Sequence, residues 1–352
     1  MKFSLDKLRS VGWQKLGLSI LCGILAIVLI LMIFASAFIH QMLDKISGDN
    51  GGDHLGGTLS PSEMSVLLDD NTLPPDFTGD TVDPDDVTVP TVPVVEMISN
   101  PNVLNILLVG QDRRPGEGRQ RSDSMILCSF NTEKKTFSMV SFLRDTYVSI
   151  PGFWDDKINA AYAYGGMKTL TETLAVNYGV KVDGCVEVDF GGFQTIIDML
   201  GGVDITLTEK EASYLNENYG FALSAGANHL NGEQALAYSR IRKIDSDSQR
   251  TARQRKVISA LINTYKSKGV GEMVTLAGDI LDTGLVKTNM SGGDILNYVG
   301  KLFPIVAGGS VKSHQIPLAG TWDDVAAIGK IVDVKVITDM EKNLDLLKDL
   351  LG

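Results

Sequence analysis

The sequence predicts one α/β domain over residues 101–352, joined by an acidic stalk to an N-terminal membrane anchor. Beyond residue 101, apolar runs of strand length alternate with segments of helical periodicity, and no second linker interrupts them. Residues 40–100 are acidic and rich in proline, whereas residues 16–39 are apolar and uncharged. These three observations divide the chain into a cytoplasmic tail (1–15), an anchor (16–39), a stalk (40–100) and the α/β domain.

The anchor is an uncharged run of 24 residues, 16–39. At about 1.5 Å per residue, a helix of this length crosses a bilayer core of about 30 Å. Four basic residues and one acidic residue precede it, so the positive-inside rule keeps the N-terminus in the cytoplasm. A cleaved signal peptide is the alternative, because Ala35-Ser-Ala37 resembles a cleavage site, but the run exceeds the usual ~7–15 residues of a signal core. We therefore expect a single-pass protein of the cell membrane with an extracytoplasmic domain.

The stalk has a composition that cannot bury a core. Residues 40–100 contain twelve acidic residues, one lysine and six of the eleven prolines. Low hydrophobicity combined with high net charge predicts a disordered, extended segment. Because the stalk holds most of the net charge of -11, residues 101–352 carry only about -3.

Within the domain, strands are predicted from short apolar runs that end at glycine or turn residues, and helices from a period of 3.6 residues. The glycine pair at 201–202 is a typical helix stop. The predicted strands cover 103–110, 124–131, 136–143, 185–188, 203–207, 311–316 and 334–337. The predicted helices cover 157–178, 193–200, 233–238, 249–267, 273–281, 293–303 and 339–350.

Cysteine and histidine are scarce. Cys128 lies in a predicted strand and Cys185 begins another, so buried free thiols are expected; a disulfide bridge between the two cysteines is the alternative. The four histidines are scattered without a pair at ligand spacing, which argues against a zinc site.

One basic segment stands out, because residues 238–256 hold seven lysines and arginines in nineteen positions. Arg240 and Arg242 point to the same side of an extended segment, and Arg250 and Gln254 share one face of a helix. A guanidinium group can donate two parallel hydrogen bonds to the oxygens of a phosphate or carboxylate. This segment is therefore predicted to bind an anion. The alternative is a solvated basic helix paired with surface carboxylates.

Two aspartates flank neighbouring strands. Asp112 follows the first predicted strand and Asp123 precedes the second, eleven residues later, so both can reach one edge of the sheet. Hard oxygen ligands near arginines suit a partly hydrated Mg²⁺, or Mn²⁺ in its place, that also contacts substrate phosphates. The alternative is a pair of loop aspartates, with Asp112 capping a turn and Asp123 paired with Arg121.

Arg144 and Asp145 end the third predicted strand, at the same edge. Arg144 is expected to bind phosphate with Asp145 orienting it; the alternative is a surface ion pair worth less than ~1 kcal/mol. Nucleotide-binding, hydrolase and zinc-protease motifs are absent from the sequence. Nucleic acid is not an expected partner, because the basic segment lacks interleaved aromatic residues and the domain is not basic.

Several segments together resemble the LytR-CpsA-Psr (LCP) family. The similarity covers residues 105–265 and includes Arg121-Ser-Asp-Ser-Met, Leu143-Arg-Asp-Thr-Tyr, Lys157-Ile-Asn-Ala-Ala-Tyr and Arg250-Thr-Ala-Arg-Gln-Arg. The resemblance implies a membrane-anchored, extracytoplasmic enzyme with a three-layer α/β/α domain around a central mixed sheet. Such enzymes transfer wall teichoic acid or capsular polysaccharide from undecaprenyl-pyrophosphate to peptidoglycan, forming a phosphodiester.

The resemblance also implies roles for particular residues. The magnesium-site aspartates of the family fall on Asp112 and Asp123, and the polyprenyl tail is expected in an apolar pocket between sheet and helices. The predicted catalytic residues are Asp123, Arg144, Asp145 and Arg242, with Asp123 as first candidate for the base that accepts the acceptor's proton and Asp145 as second. The residues expected to bind the pyrophosphate are Arg121, Arg144, Arg240, Arg242, Arg250 and Gln254.

Further predictions concern the remaining basic residues, the wall of the pocket and the alternative functions. Lys243, Arg255 and Lys256 are predicted to be solvated, and the position of Arg253 is left open. Ile241 stands where the family often has Phe, at the predicted pocket wall. The alternative functions are a polyprenyl-pyrophosphate phosphatase, with water as acceptor, and a non-catalytic regulator of the cell envelope that binds lipid phosphate.

Overall fold

Six strands form a central mixed sheet in the computed structural model, which describes residues 81–84, 87, 95–113, 118–265, 270–308 and 311–352. The strands are β1 Thr81–Val82, β2 Val103–Gln111, β3 Ser122–Asn131, β4 Thr136–Phe142, β5 Tyr147–Val148, β6 Asp156–Lys157, β7 Gly184–Asp189, β8 Val203–Leu207, β9 Gly226–Leu230, β10 Val286–Thr288, β11 Val311–Ile316, β12 Trp322–Ile328 and β13 Ile331–Ile337. The helices are α1 Ile158–Tyr178, α2 Phe190–Met199, α3 Glu209–Tyr219, α4 Gly232–Ser239, α5 Asp247–Tyr265, α6 Val270–Asp282, α7 Gly292–Gly308 and α8 Met340–Leu351.

The central sheet has the order β10-β7-β2-β3-β4-β11. Strand β3 is antiparallel to both β2 and β4, whereas β7 is parallel to β2 and β11 is parallel to β4. The predicted α/β class and its central mixed sheet are therefore confirmed. Apart from residues 291–293, at the start of α7, the described residues belong to one compact unit.

Apolar side chains cover both faces of this sheet because successive residues of a strand point to opposite sides. Leu107 and Val109 of β2 pack in one core with α1 and α8. Their neighbours Ile106 and Leu108 pack in a second core on the opposite face, with side chains of α5 and α7. Helices thus lie on both faces of the sheet.

A smaller core lies beside the sheet, where the β8–β9 hairpin packs with α2, α3, α4 and α5. Helix α3 and strand β9 were not among the predicted elements. The start of α3 carries a detectable signal, since Thr208 and Glu211 form a capping box, with the Thr208 side chain accepting from the Glu211 amide. Helix α3 is mostly polar, so it lacks the clear 3.6-residue apolar period from which the other helices were predicted.

Two parts of the predicted stalk pair with the domain. Thr81–Val82 adds a parallel strand to β12, and Ile98 forms a bridge with Val180. The first residues that contact the domain therefore lie before the predicted boundary at residue 101. The predicted tail and anchor, and the stalk residues 40–80, lie outside the described residues. Among the described helices, none has the length and apolar character needed to cross a membrane.

Both cysteines of the described part are buried and unbridged, as expected for Cys128 and Cys185. Burial raises the pKa of each thiol to about 12. The segment after residue 290, for which the sequence offered no chemical motif, completes the fold: β11 extends the central sheet and α8 covers one of its faces.

Candidate functional site

The candidate site lies at one edge of the central sheet. Strands β2, β4, β7 and β11 end at this edge, and the antiparallel β3 begins there. The polar segments that follow β2 and β4 and precede β3 are therefore brought together, which places Asp112, Asp123 and Arg144 at the same edge.

A β-bulge aims Asp123 into the site. Ser124 pairs with Gly110 and Ser122 pairs with Gln111, so Asp123 is the extra residue on β3. Such an insertion bends the strand locally and redirects the side chain. The carboxylate of Asp123 accepts a hydrogen bond from the guanidinium of Arg144, just after β4.

Arg144 and Asp145 are held by further charges. The Nε of Arg144 lies 3.6 Å from Asp145 Oδ2, and the Nζ of Lys157 lies 3.1 Å from Asp145 Oδ1. Burial acts to raise the pKa of Asp145, but the positive charges of Lys157 and Arg144 outweigh it and keep this pKa below its ordinary value. Burial likewise acts to lower the pKa of Arg144, and the carboxylates of Asp123 and Asp145 raise it overall. Arg144 and Asp145 therefore both stay charged at neutral pH.

Asp247, which the sequence analysis did not select, links two predicted arginines. Its Oδ1 lies 2.8 Å from Arg250 Nε and 3.5 Å from Arg242 Nε. The 2.8 Å contact lacks the alignment of a hydrogen bond, since both Asp247 oxygens and Arg250 Nε have no hydrogen-bond partner. Burial lowers the pKa of Arg250 despite Asp247. The i, i+3 spacing of Asp247 and Arg250 on α5 was the signal that could have identified it.

Arg242 lies between Asp247 and Asp145, and so connects the Asp247–Arg250 pair with the Arg144–Asp145 pair. Its NH2 lies 3.9 Å from Asp145 Oδ2, and its side chain is 45% exposed, so it faces solvent at the surface of the cluster. Arg250 is 5% exposed and lies beneath it. We call Asp123, Arg144, Asp145, Lys157, Arg242, Asp247 and Arg250 the charged cluster.

Asp112 and Arg240 form a second pair at this edge. Arg240 NH2 lies 3.6 Å from Asp112 Oδ2, and its guanidinium lies over the ring of Phe190, 4.5 Å from the ring centroid. Within the described residues, no group of three or more acidic, cysteine or histidine side chains is arranged to hold a metal ion. Both aspartates predicted as metal ligands contact arginines, Asp112 with Arg240 and Asp123 with Arg144.

Arg121 lies where β3 begins, on the side of α1. Burial and the Asp156 carboxylate raise the pKa of the Tyr164 phenol, and the positive charge of Arg121 opposes that rise. Arg119 donates to the carbonyl oxygens of Ala163 and Tyr164, at 3.1 and 3.3 Å. The segment 119–121 is thus placed against α1.

An apolar cavity of about 460 Å³ lies near the charged cluster, on the face of the sheet opposite α1. Gln254 of α5 lines it and accepts a 3.0 Å hydrogen bond from Ser124, the residue next to Asp123. Most of the remaining lining is aliphatic or aromatic, including Leu108, Ile126, Val186, Phe193 and Ile258. Ile241 is absent from this lining; it is fully buried in the core beside the β8–β9 hairpin.

Of the basic residues on α5, Arg255 is buried although it was predicted to be exposed. Arg255 was expected in solvent but is 6% exposed, and donates to the hydroxyls of Ser141 and Ser313 at 2.5 and 2.6 Å. That prediction is wrong, because β4 and β11 pack against this face of α5. Arg253 is also buried, and it pairs with Glu211 and Asp245, away from the charged cluster. Lys256 is exposed, as predicted.

The fold and site define an α/β protein with a cluster of arginines and aspartates beside an apolar cavity. Residues 80–345 match the LytR_cpsA_psr family, and the chain belongs to this family. The resemblance inferred from the sequence motifs is thereby confirmed.

Named relatives carry two kinds of description. The chain is 37% identical over 226 residues to the polyisoprenyl-teichoic acid–peptidoglycan teichoic acid transferase TagT of Bacillus subtilis, covering 61% of this chain and 67% of TagT. It is 35% identical over 232 residues to the regulatory protein MsrR of Staphylococcus aureus, covering 65% and 68%.

Solved structures of TagT are similar as well. TagT bound to LI-WTA aligns with a TM-score of 0.60 at 31% identity, over 74% of this chain and 96% of that one. TagT with bound octaprenyl pyrophosphate lipid aligns with a TM-score of 0.56 at 29% identity over the same shares.

Proposed function

We propose that this protein transfers an anionic glycopolymer, of the wall teichoic acid or capsular polysaccharide type, from undecaprenyl-pyrophosphate to peptidoglycan. The observation that carries the proposal is that Ser124, next to Asp123 in the chain, and Gln254, one helical turn after Arg250, both line the apolar cavity and so place it beside the charged cluster. A lipid-linked pyrophosphate needs both, since its tail favours an apolar lining and its phosphates favour arginine donors. The names of TagT and its lipid complex support the same chemistry.

In this proposal the arginines bind the phosphates. Arg144, Arg242 and Arg250 converge from three parts of the chain, and they offer planar donors to one anion. Arg121, Arg240 and Gln254 would contact the same anion from its sides. Before substrate binds, Asp123, Asp145 and Asp247 offset the arginine charges and keep the donors in position.

The reaction forms a bond between an acceptor hydroxyl of peptidoglycan and the sugar-side phosphorus. The bond from that phosphorus to the bridging oxygen breaks, and the lipid leaves as its monophosphate. The hydroxyl proton passes to a carboxylate, and Asp123 fits better than Asp145, whose lowered pKa and three cationic partners make it a weak base. Asp145 then orients Arg144 and Lys157.

Asp112 and Asp123 also fit a bound Mg²⁺, or Mn²⁺ in its place. Both are oxygen donors at the edge of the sheet, and their side chains remain 42% and 21% exposed. When bound, such an ion would add positive charge beside the phosphates. We propose that the protein works at the cell membrane, anchored through residues 16–39 with the domain on the extracytoplasmic side.

The test uses the full chain in detergent micelles with a lipid-pyrophosphate-linked disaccharide, Mg²⁺ and uncrosslinked glycan strands. Covalent attachment to the strands, with release of lipid monophosphate, is the expected result. Release of sugar phosphate without attachment would instead identify a phosphatase. Tight lipid binding without turnover would identify a non-catalytic regulator, and MsrR is described as a regulatory protein.

The metal is tested in the same assay. Chelation with EDTA should abolish attachment, and Mg²⁺ or Mn²⁺ should restore it. Asp112→Asn should raise the Mg²⁺ concentration needed for half-maximal rate, whereas Asp204→Asn, at an exposed aspartate in the β8–β9 hairpin, should not change it. Full activity after chelation would remove the metal from the proposal.

A further inference from the structure

Trp154 exposes a large aromatic ring close to the charged cluster. Its residue surface is 39% exposed, although burying an indole contributes strongly to folding. It lies in the loop between β5 and β6, two residues before the buried Asp156.

The ring is held rigidly from behind. Its centroid lies 5.1 Å from that of Tyr164 and 6.2 Å from that of Phe153, and the Phe153 and Tyr164 rings stack at 5.1 Å. Tyr164 is buried, and its hydroxyl donates to the Asp156 carboxylate. Because its support is fixed, the indole keeps its orientation, and little conformational entropy is lost when a ligand packs on it.

The support of this ring is continuous with the charged cluster. Asp156 and Lys157 form β6, and Lys157 is the partner of Asp145. The positive charge of Arg121 also acts on Tyr164 and opposes the rise in the pKa of its phenol. Tyr164 belongs to the core on the α1 face of the sheet, whereas the apolar cavity lies on the opposite face. The cavity and the aromatic group thus lie on opposite faces of the sheet, and Lys157 of β6 connects the aromatic group to the charged cluster.

We infer that Trp154 is a binding platform for a pyranose ring. The inference rests on the proposed function, in which the cavity takes the lipid and the charged cluster takes the phosphates. Only sugar lies beyond the phosphates, either the first rings of the lipid-linked donor or the ring that carries the acceptor hydroxyl. One face of a pyranose presents C–H groups, which pack on a flat aromatic ring while the hydroxyls at its rim remain hydrated.

The test compares Trp154→Ala and Trp154→Phe with Tyr219→Ala, which removes another exposed aromatic ring at the end of α3. We expect Trp154→Ala to raise KM by about tenfold for one substrate, with kcat changed less than about twofold. A higher KM for glycan strands assigns the platform to the acceptor, and a higher KM for the lipid-linked disaccharide assigns it to the donor. Trp154→Phe should restore most of the affinity, and Tyr219→Ala should leave both KM values unchanged.

Unchanged KM values for both substrates in Trp154→Ala would overturn the inference. A binding measurement separates this result from failure of the proposed function. If the wild-type protein transfers nothing, titration calorimetry still tests the platform. It measures the binding of soluble glycan-strand fragments and, separately, of the lipid-linked disaccharide. At least a fivefold weaker binding of either probe to Trp154→Ala supports the platform, and unaltered binding of both refutes it. Far-ultraviolet circular dichroism of each variant checks that it is folded.

Discussion

Arg144, directly after β4, donates a hydrogen bond to Asp123, the bulged residue of β3. The contact joins a residue predicted to bind phosphate with a residue predicted to bind metal, 21 positions earlier in the chain. Each neutralises the other before a substrate arrives. An incoming pyrophosphate would take over the guanidinium and free the carboxylate, which is the state that a metal ion or an acceptor proton requires.

The first prediction concerns Arg144. Arg144→Ala should lower the rate of glycan attachment by about 10²–10³, the usual effect of losing one donor that stabilises developing charge. Arg144→Lys should recover only a small part, because a lysine keeps the charge but loses the planar fork. The measurement is the initial rate of attachment, with the thermal midpoint as a check on folding. A rate above half that of the wild type in Arg144→Ala would exclude a role in the reaction.

The second prediction separates structural from functional arginines on α5. Arg253 is buried between Glu211 and Asp245, so Arg253→Met leaves a buried carboxylate without its cation. We expect a loss of about 3–5 kcal/mol in the free energy of unfolding. Lys168→Met, which removes an exposed pair with Glu172, should cost less than about 0.5 kcal/mol. Urea unfolding gives both values, and equal losses would contradict the assignment of Arg253 to the core.

The third prediction is a pH dependence at the β8–β9 hairpin. His229 Nδ1 lies 2.7 Å from Asp204 Oδ1 and its Nε2 lies 2.7 Å from the Gly201 carbonyl oxygen. Only an imidazolium donates at both nitrogens, so these bonds raise the pKa of His229 above its ordinary 6.5. The stabilisation is complete below pH 6.5 and is lost as pH rises through the raised pKa.

Nuclear magnetic resonance titration of the His229 ring protons measures this pKa directly. The value should exceed that of an exposed histidine in the wild type, and Asp204→Asn should lower it. A wild-type pKa at or below 6.5 would show that the two hydrogen bonds are not both made in solution.

Local patterns in the sequence predict the elements whose structure depends on neighbouring residues. Apolar runs identified most strands of the central sheet, and charged residues at strand ends identified Asp123 and Arg144 as neighbours at one edge. Such residues must meet, because the ends of β2 and β4 and the start of β3 share that edge. The family resemblance, which rested on these motifs, was confirmed.

Hydrogen-bond partners that lie far apart in the chain could not be predicted from local sequence patterns. The hydroxyls that bind Arg255 are those of Ser141 and Ser313, 114 and 58 residues away, so no local pattern distinguishes this arginine from an exposed one. Asp247 is a different case, because its partners Arg242 and Arg250 are only five and three residues away and its i, i+3 spacing with Arg250 is a local signal. The apolar pocket was expected only from the family resemblance, because its lining depends on how α2, α5 and α6 pack on the sheet.

The most direct test of the central claim compares two adjacent basic residues. Arg242 contacts Asp145 and Asp247 in the charged cluster, whereas Lys243 is exposed. With lipid-pyrophosphate-linked disaccharide, Mg²⁺ and glycan strands, Arg242→Ala should reduce single-turnover attachment at least about 100-fold, and Lys243→Ala should leave it within about twofold of the wild type. Equal rates for the two variants would show that the charged cluster is not the site of transfer.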